Sequence, residues 1–311
     1  MANLHLAPAA AESSDDPPKV GESEALSEQS LQSAIEVRSI SRYFYKNNAR
    51  ITALADVSFH VTHGEIVGLL GPSGCGKSTL LNIIAGLDRA DQGSVLHLGK
   101  LLVGPAIGIG YMTQTDTLLP WRTIRQNIQL PLDIHNQNSS GSDKISRSEL
   151  ERRVQRALDL VRLSAFADHL PSEVSGGMSK RASLARMLIY AQHTLLLDEP
   201  FSALDAQTRT EMHAELLRIC DSEHRTVVLV THDVEEAITL CDRIVILSAR
   251  PGRVKAIVEV DIPHPRDPVT IRFERRFQEL FTRVWDEIHP SGSRPQSSVG
   301  RVDNSSEGQL S

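Results

Sequence analysis

The chain has 311 residues, of which 40% are hydrophobic, a formal net charge of −6 and three widely spaced cysteines. This composition supports a globular core, gives a nucleic-acid partner no electrostatic help, and argues against a disulfide framework or zinc site. The negative charge leads us to expect no nucleic-acid partner. Because the sequence contains neither a run of about 18 apolar residues nor a basic-then-apolar signal peptide, we expect a soluble cytoplasmic protein.

The N-terminal region changes character near residue 34. Residues 1–33 are rich in Ala, Ser, Glu, Asp and Pro, lack apolar periodicity, and are predicted to form a disordered tail. Segments 35–37 and 57–61 then alternate apolar and polar side chains, which is typical of half-buried antiparallel strands. We therefore expect the folded domain to begin with an antiparallel β subdomain.

Residues 71–79 fit the pattern G-x-x-x-x-G-K-S/T. The glycines let successive backbone N–H groups point at one centre beside a helix N-terminus, an arrangement that holds phosphates. Lys77 is expected to reach the β- and γ-phosphates, and the Ser78 hydroxyl to hold Mg²⁺. A buried strand at 66–70 and a helix at 80–87 supply the context, and a plain Gly-rich turn is the alternative. The candidate phosphate-contacting residues are Gly71, Pro72, Ser73, Gly74, Cys75, Gly76, Lys77, Ser78 and Thr79.

The middle of the chain, from about 117 to 190, is predicted to be mostly helical, with a polar loop at 135–145. Ser146 and Glu149 have the spacing of a helix-capping box. A helical apolar face follows, formed by Leu150, Val154, Ala157, Leu158 and Val161.

A second anion-binding pattern lies at 174–178, where Ser175, Gly176 and Gly177 precede a helix predicted from about 179 to 190. A hydroxyl, open backbone amides and a helix dipole together suit an anionic group. Taken alone, the segment could equally be a loop with a serine helix cap.

An apolar strand at 194–197 ends in two carboxylates, Asp198 and Glu199. Asp198, at the strand end, would hold Mg²⁺, and Glu199, pointing differently, can orient or deprotonate an attacking water. The alternative is a charge pair at a helix N-terminus.

The last part of the chain carries buried strands at 226–230 and 244–247. A C-terminal helical extension is expected at 261–290, followed by a disordered tail at 291–311. Its apolar stripe, expected to pack on the core, consists of Phe273, Phe277, Leu280, Phe281, Val284 and Ile288.

In their order along the chain, these motifs resemble those of the ATP-binding cassette (ABC) family, over about residues 35–248. The resemblance implies an α/β fold, with a P-loop NTPase core, an antiparallel β subdomain and a helical subdomain, at about 117–190, that carries the signature motif Ser-Gly-Gly. The ATP-binding domain would then span residues 34–260.

The resemblance also implies roles for residues outside the phosphate loop. Gln114, after a strand at 107–112, matches the glutamine that contacts Mg²⁺ and the attacking water in a loop leading to the transporter partner. His232 matches the switch histidine that contacts the γ-phosphate. Asp205 matches the D-loop aspartate at the dimer interface.

The residue that stacks on adenine is less sharply defined. Phe44 falls at the position of the family's adenine-stacking aromatic, but Tyr43 and Tyr45 flank it. All three aromatic rings could instead serve only strand packing.

In the mechanism that the resemblance implies, Ser175 and Gly177 close on ATP held by a second copy of the chain, so two ATP molecules are sandwiched head to tail in a homodimer. Hydrolysis then removes the γ-phosphate that joins the two subunits, and the dimer opens. The implied cofactors are ATP and Mg²⁺. The implied partners are integral membrane permease subunits and an external solute-binding protein, with this chain peripheral at the cytoplasmic face of the inner membrane.

Segments 118–124 and 248–253 are similar to those of importer subunits of the nitrate/sulfonate/taurine type. Leu118, Leu119 and Trp121 are predicted to face the permease, although Trp121 could instead pack on the helical subdomain. The chain departs from the family pattern at Val174, where Leu is usual, at His193, where Pro is usual, and at 179–180, where Ser-Lys replaces the common Arg-Gln.

Other functions remain to be weighed against import. A soluble ABC ATPase acting on DNA is disfavoured, because it would need a long coiled coil between the phosphate loop and the signature. One acting on ribosomes is disfavoured, because it would carry two cassettes. An inactive regulatory cassette is disfavoured by the intact Lys77, Asp198, Glu199 and His232. An exporter is disfavoured by the segment 118–121.

Overall fold

The computed structural model describes residues 33–289 except 48, 107, 116 and 190–192. The tails predicted at 1–33 and 291–311 lie outside the described residues, apart from Ser33, which begins the first strand. Residues 107 and 190, at the predicted ends of a strand and a helix, are outside them too. Within the described ranges, no helix is both long and apolar enough to cross a membrane.

One sheet is antiparallel, with strand order β2-β1-β4-β5. The strands predicted at 35–37 and 57–61 are parts of two 14-residue strands, which also bury Ile40, Ala53 and Leu54 and whose outer ends at 44–46 and 49–50 are exposed. The sequence pattern misses the rest of these strands because register shifts between Val37 and Tyr43 interrupt the strict alternation of apolar and polar residues. The strands are β1 (Ser33–Lys46), β2 (Ala49–Thr62), β4 (Gln92–His97) and β5 (Lys100–Leu101).

The second sheet is six-stranded, with order β10-β9-β3-β8-β7-β6. All its strands are parallel except β10, which pairs antiparallel with β9 at one edge. Three central strands are buried along their whole length, as their unbroken apolar runs predict. The strands are β3 (Ile66–Leu70), β6 (Ile109–Met112), β7 (Thr194–Asp198), β8 (Thr226–Val230), β9 (Arg243–Leu247) and β10 (Val254–Glu259).

The helix after the phosphate loop, α1 (Lys77–Ile84), differs from the predicted 80–87. It begins inside the motif, and Gly86 ends it because its φ of 72° lies in the left-handed region. A Cβ at Gly86 would lie 2.0 Å from the carbonyl oxygen of Gly104, so only glycine fits there.

Three helices form the helical region: α2 (Ile124–Asn138), α3 (Arg147–Leu160) and α4 (Gly176–Leu188). The predicted loop at 135–145 is wrong at its start, because α2 continues to Asn138. Asn136 then holds the following loop through both the N–H and the carbonyl oxygen of Ile145. Ser146 caps α3, and the predicted apolar face of α3 is buried.

After β7, the chain forms α5 (Ala206–Glu223), α6 (Val234–Leu240) and α7 (Arg275–Ile288). The predicted stripe is wrong at Phe273, which lies in a short turn before α7 and is 80% exposed. Phe277, Leu280 and Val284 are buried in the same apolar cluster as the main sheet. The predicted α/β architecture with antiparallel and helical subdomains is confirmed.

Candidate nucleotide-binding and catalytic site

The carboxyl ends of β3, β6, β7 and β8 lie at one edge of the parallel sheet, where ligands of such sheets bind. The phosphate loop connects β3 to α1. Gly74 and Gly76 have φ values of 74° and 110°, which favour glycine. Gly76 precedes α1 without a side-chain cap, so the first N–H groups of the helix are left for an anion.

Lys77 lies across this loop. Its Nζ donates hydrogen bonds to the carbonyl oxygens of Gly71, at 2.7 Å, and Pro72, at 3.1 Å, and the residue is buried. The ammonium group therefore already sits against the loop that would hold phosphates. Cys75 is buried and contributes through its backbone, since its N–H donates to the carbonyl oxygen of Pro72.

Replacing Lys77 with alanine is expected to weaken ATP binding by about tenfold or more, because a charge-assisted contact to the phosphates is lost. Equilibrium titration with a non-hydrolysable ATP analogue measures the loss, and thermal unfolding checks that the variant is folded. Lys100→Ala, on the exposed β5 strand, is the control. An unchanged affinity in Lys77→Ala would remove the phosphate-loop assignment.

Asp198 ends β7 as a buried carboxylate. Burial raises its pKa, while a hydrogen bond with Ser78 and the charges of Lys180 and Lys77 act in the opposite direction. Its Oδ1 has no hydrogen-bond partner among the described residues. An unpaired buried carboxylate oxygen beside a hydroxyl is a donor set that suits Mg²⁺.

Glu199 lies between the other two predicted catalytic residues. Its Oε2 accepts a hydrogen bond from Gln114 Nε2 at 3.1 Å, and its Oε1 lies 3.2 Å from His232 Nδ1. The backbone of Glu199 has a φ of 48°, which is rare for a non-glycine residue and typical of functional sites. Val230 and Ser202 hold this backbone through hydrogen bonds.

Behind His232 lies a buried carboxylate, Glu236, that sequence reasoning misses. Burial raises its pKa to about 8, and its Oε2 accepts a hydrogen bond from Thr231 Oγ1 at 3.0 Å. Thr231 in turn accepts from the N–H of Asp233, so these three residues fix the loop that presents His232. The only signal in the sequence is a carboxylate among the apolar positions of α6.

The signature segment begins α4. Ser175 caps the helix by accepting a hydrogen bond from the Met178 N–H at 3.3 Å, and it is exposed. A Cβ at Gly176 would meet nothing within 4 Å, whereas one at Gly177 would lie 3.3 Å from the carbonyl oxygen of Ala203. Gly177 thus packs against the D-loop, and the hydroxyl of Ser175 faces solvent.

The structure also shows what surrounds two further predicted residues, Asp205 and Phe44. Asp205 caps α5, and the hydrogen bond from the Thr208 N–H lowers its pKa. Helix capping alone therefore accounts for an aspartate at this position. Phe44 is 42% exposed, with the Arg42 guanidinium 5.1 Å from its ring centroid. Phe44 and Tyr45 are therefore not buried in strand packing, and Phe44 stays the predicted adenine contact.

Comparisons with known proteins identify the family of this chain. A family model described as ABC transporter matches residues 54–202. An uncharacterized ABC transporter ATP-binding protein of Methanocaldococcus jannaschii is 41% identical over 254 residues, covering 82% of this chain and 92% of the relative. An aliphatic sulfonates import ATP-binding protein of Bacillus anthracis is 37% identical over 258 residues, covering 83% and 97%.

Solved structures are similar too. A dimeric ATP-binding cassette in a post-hydrolysis state, bound to ADP and phosphate, is 29% identical, with a TM-score of 0.66 over 74% of this chain and all of that one. A dimeric bacterial ABC transporter cassette is 30% identical, with a TM-score of 0.67 and the same coverage.

The fold and the site define an ATP-binding P-loop ATPase, an enzyme that hydrolyses ATP. The chain belongs to the ABC transporter family, as an ATP-binding subunit.

Proposed function

We propose that this chain is the ATP-hydrolysing subunit of an importer for aliphatic sulfonates or a similar small solute such as taurine or nitrate. The observation that carries hydrolysis is the position of Glu199 between Gln114 and His232. The solute class rests on the importer-like segments 118–124 and 248–253 and on the sulfonate-import relatives.

In the proposed mechanism, the loop amides and Lys77 bind the ATP phosphates, and an aromatic residue, Phe44, stacks on adenine. Glu199 accepts a proton from the attacking water or orients it, and Gln114 holds the carboxylate of Glu199 in place. Ser78, Gln114 and Asp198 would hold Mg²⁺, which would supply positive charge to neutralise the phosphates.

The proposed functional unit is a homodimer. The exposed Ser175, with Gly176 and Gly177, would face the nucleotide bound by the second copy, and Asp205 would lie near the interface. Closure of two isologous surfaces would sandwich two nucleotides. We further propose that the dimer is peripheral at the cytoplasmic face of the inner membrane. There it acts on permease subunits, which receive the solute from an external solute-binding protein.

The proposed permease contact is a fixed loop that presents Trp121. Asn127, which is fully buried, accepts a hydrogen bond from the Leu119 N–H at 2.7 Å and shares its two amide hydrogens among the carbonyl oxygens of Leu119, Arg122 and Thr123. Trp121 itself is 73% exposed, so the alternative that it packs on the helical subdomain is wrong. An exposed indole on a loop whose flanking backbone is held by hydrogen bonds is the kind of apolar group that partner sites use.

The function is tested by affinity purification of this chain from its native membranes, identification of any permease subunits that copurify, and reconstitution of the complex in liposomes with the solute-binding protein. We expect ATP-dependent uptake of radiolabelled taurine, ethanesulfonate or nitrate. Failure to copurify with any permease, with ATPase activity retained, would contradict the import function.

Trp121→Ala is expected to leave the ATPase rate of the isolated subunit near normal while reducing permease copurification and uptake by about tenfold, the effect of losing an aromatic anchor. Phe273→Ala, which removes an equally exposed aromatic ring elsewhere, is the matched control. Loss of the subunit's own ATPase activity with normal assembly would show that Trp121 does not contact the permease.

A further inference from the structure

A buried lysine, Lys180, connects the signature helix α4 to the loop that carries Gln114. It is 4% exposed, and its Nζ donates hydrogen bonds to the carbonyl oxygens of Thr113, at 3.2 Å, and Gln114. The residues it joins are separated by more than 60 positions in the chain. Lys180 stands at one of the positions where the sequence departs from the family pattern.

The environment of Lys180 explains why the ammonium group stays in this place. A buried cation needs acceptors and a counter-charge, and here the two carbonyl oxygens supply the first while the nearby Asp198 supplies the second. Because these acceptors belong to the main chain, their bonds to Lys180 fix the direction of the backbone at residues 113 and 114.

The loop itself offers little to fix Gln114. The residue is exposed, and its Nε2 donates to Glu199, the one partner of this side chain among the residues that the structure describes. The Thr113 side chain bonds within the loop, through its Oγ1 to the carbonyl oxygen of Thr115. Thr117, three positions after Gln114, is held in the same way: Arg186, also on α4, donates to its carbonyl oxygen and its hydroxyl. The loop is therefore tied to the signature helix at two points.

We propose that Lys180 is a positioning residue, which holds Gln114 against Glu199 and makes the loop move with the signature helix. The proposal rests on the catalytic role proposed for Glu199 and Gln114. Loss of the ammonium would free the backbone at 113–114, and displacement of a catalytic group by about 1 Å can lower a rate by up to about 100-fold. The effect should fall on kcat, because Lys180 is not among the residues proposed to bind ATP.

The test compares Lys180→Met, which keeps the length of the side chain and removes its donors, with Lys180→Gln, whose amide can still donate. Arg181→Met is the matched control, because Arg181 is the next residue on α4 and donates to the carbonyl oxygen of Val161, away from the loop. We expect Lys180→Met to lower kcat for ATP by about tenfold with KM unchanged, Lys180→Gln to recover at least half of the rate, and Arg181→Met to behave like the unmodified chain.

A second readout does not depend on activity. Amide hydrogen exchange of the full chain without nucleotide should be several-fold faster at residues 113–115 in Lys180→Met and unchanged there in Arg181→Met. A normal kcat, or unchanged exchange at 113–115, in a folded Lys180→Met variant would overturn the proposal while leaving the import function standing. If the unmodified chain supports no import while Lys180→Met shows both the lower kcat and the faster exchange, only the proposed function is overturned. If Lys180→Met does not fold, Lys180→Gln serves as the test. Faster exchange and a lower kcat in Lys180→Gln support the proposal, and values equal to those of Arg181→Met in both readouts overturn it.

Discussion

Replacing Glu199 with glutamine is expected to lower kcat for ATP hydrolysis by at least about 100-fold, the loss that accompanies removal of a general base. The amide cannot accept a proton from water, but it keeps the size of the side chain and can still bond to Gln114 and His232. Because Asp198, Ser78 and Lys77 are untouched, ATP affinity should stay within a few-fold of normal. Single-turnover hydrolysis and equilibrium nucleotide binding, measured on the same preparation, separate the two effects.

The Glu199→Gln variant should also accumulate as an ATP-bound dimer, which size-exclusion chromatography with ATP detects. Glu235→Gln, an exposed carboxylate in the first turn of α6, is the matched control and should hydrolyse ATP normally. Near-normal hydrolysis by Glu199→Gln would show that another group activates the water.

The core of the main sheet is predictable from the sequence because its strands are buried on both faces. The strand at 66–70 and the strand at 226–230 have the predicted bounds, since both are short, almost wholly apolar segments that are buried along their whole length. The ends of helices are less predictable. α1 begins at Lys77 after Gly76, which offers no capping side chain, so the sequence contains no signal that marks this helix start.

The site is predictable where its chemistry is carried by a local motif. The phosphate loop and the carboxylates of 198–199 are contiguous in sequence, so their placement at a strand end follows from the strand itself. Lys180, Glu236 and Asn127 are not predictable in this way, because their roles depend on carbonyl and hydroxyl groups that only the folded chain brings near. A polar residue on a helix normally indicates a solvated face.

Ser175→Arg is expected to abolish hydrolysis that depends on the dimer, with a loss of at least about 100-fold in kcat, while ATP binding to the monomer persists. The exposed Ser175 hydroxyl lies at the N-terminus of α4, where the helix dipole and open amides favour an anion. A long side chain at this position would fill the space proposed for the γ-phosphate held by the second copy. Nucleotide titration and sedimentation in the presence of ATP measure binding and dimer closure separately.

The matched control for this prediction is Ser146→Arg. Ser146 caps α3 as Ser175 caps α4, because each hydroxyl accepts a hydrogen bond at 3.3 Å from the N–H three residues later. Both variants lose a helix cap, at a cost of about 1 kcal/mol, so a shared loss of stability cannot account for a difference between them. Ser146→Arg should dimerise and hydrolyse ATP normally. If Ser175→Arg does the same, the head-to-tail arrangement with Ser175 at the partner's nucleotide is wrong for this protein.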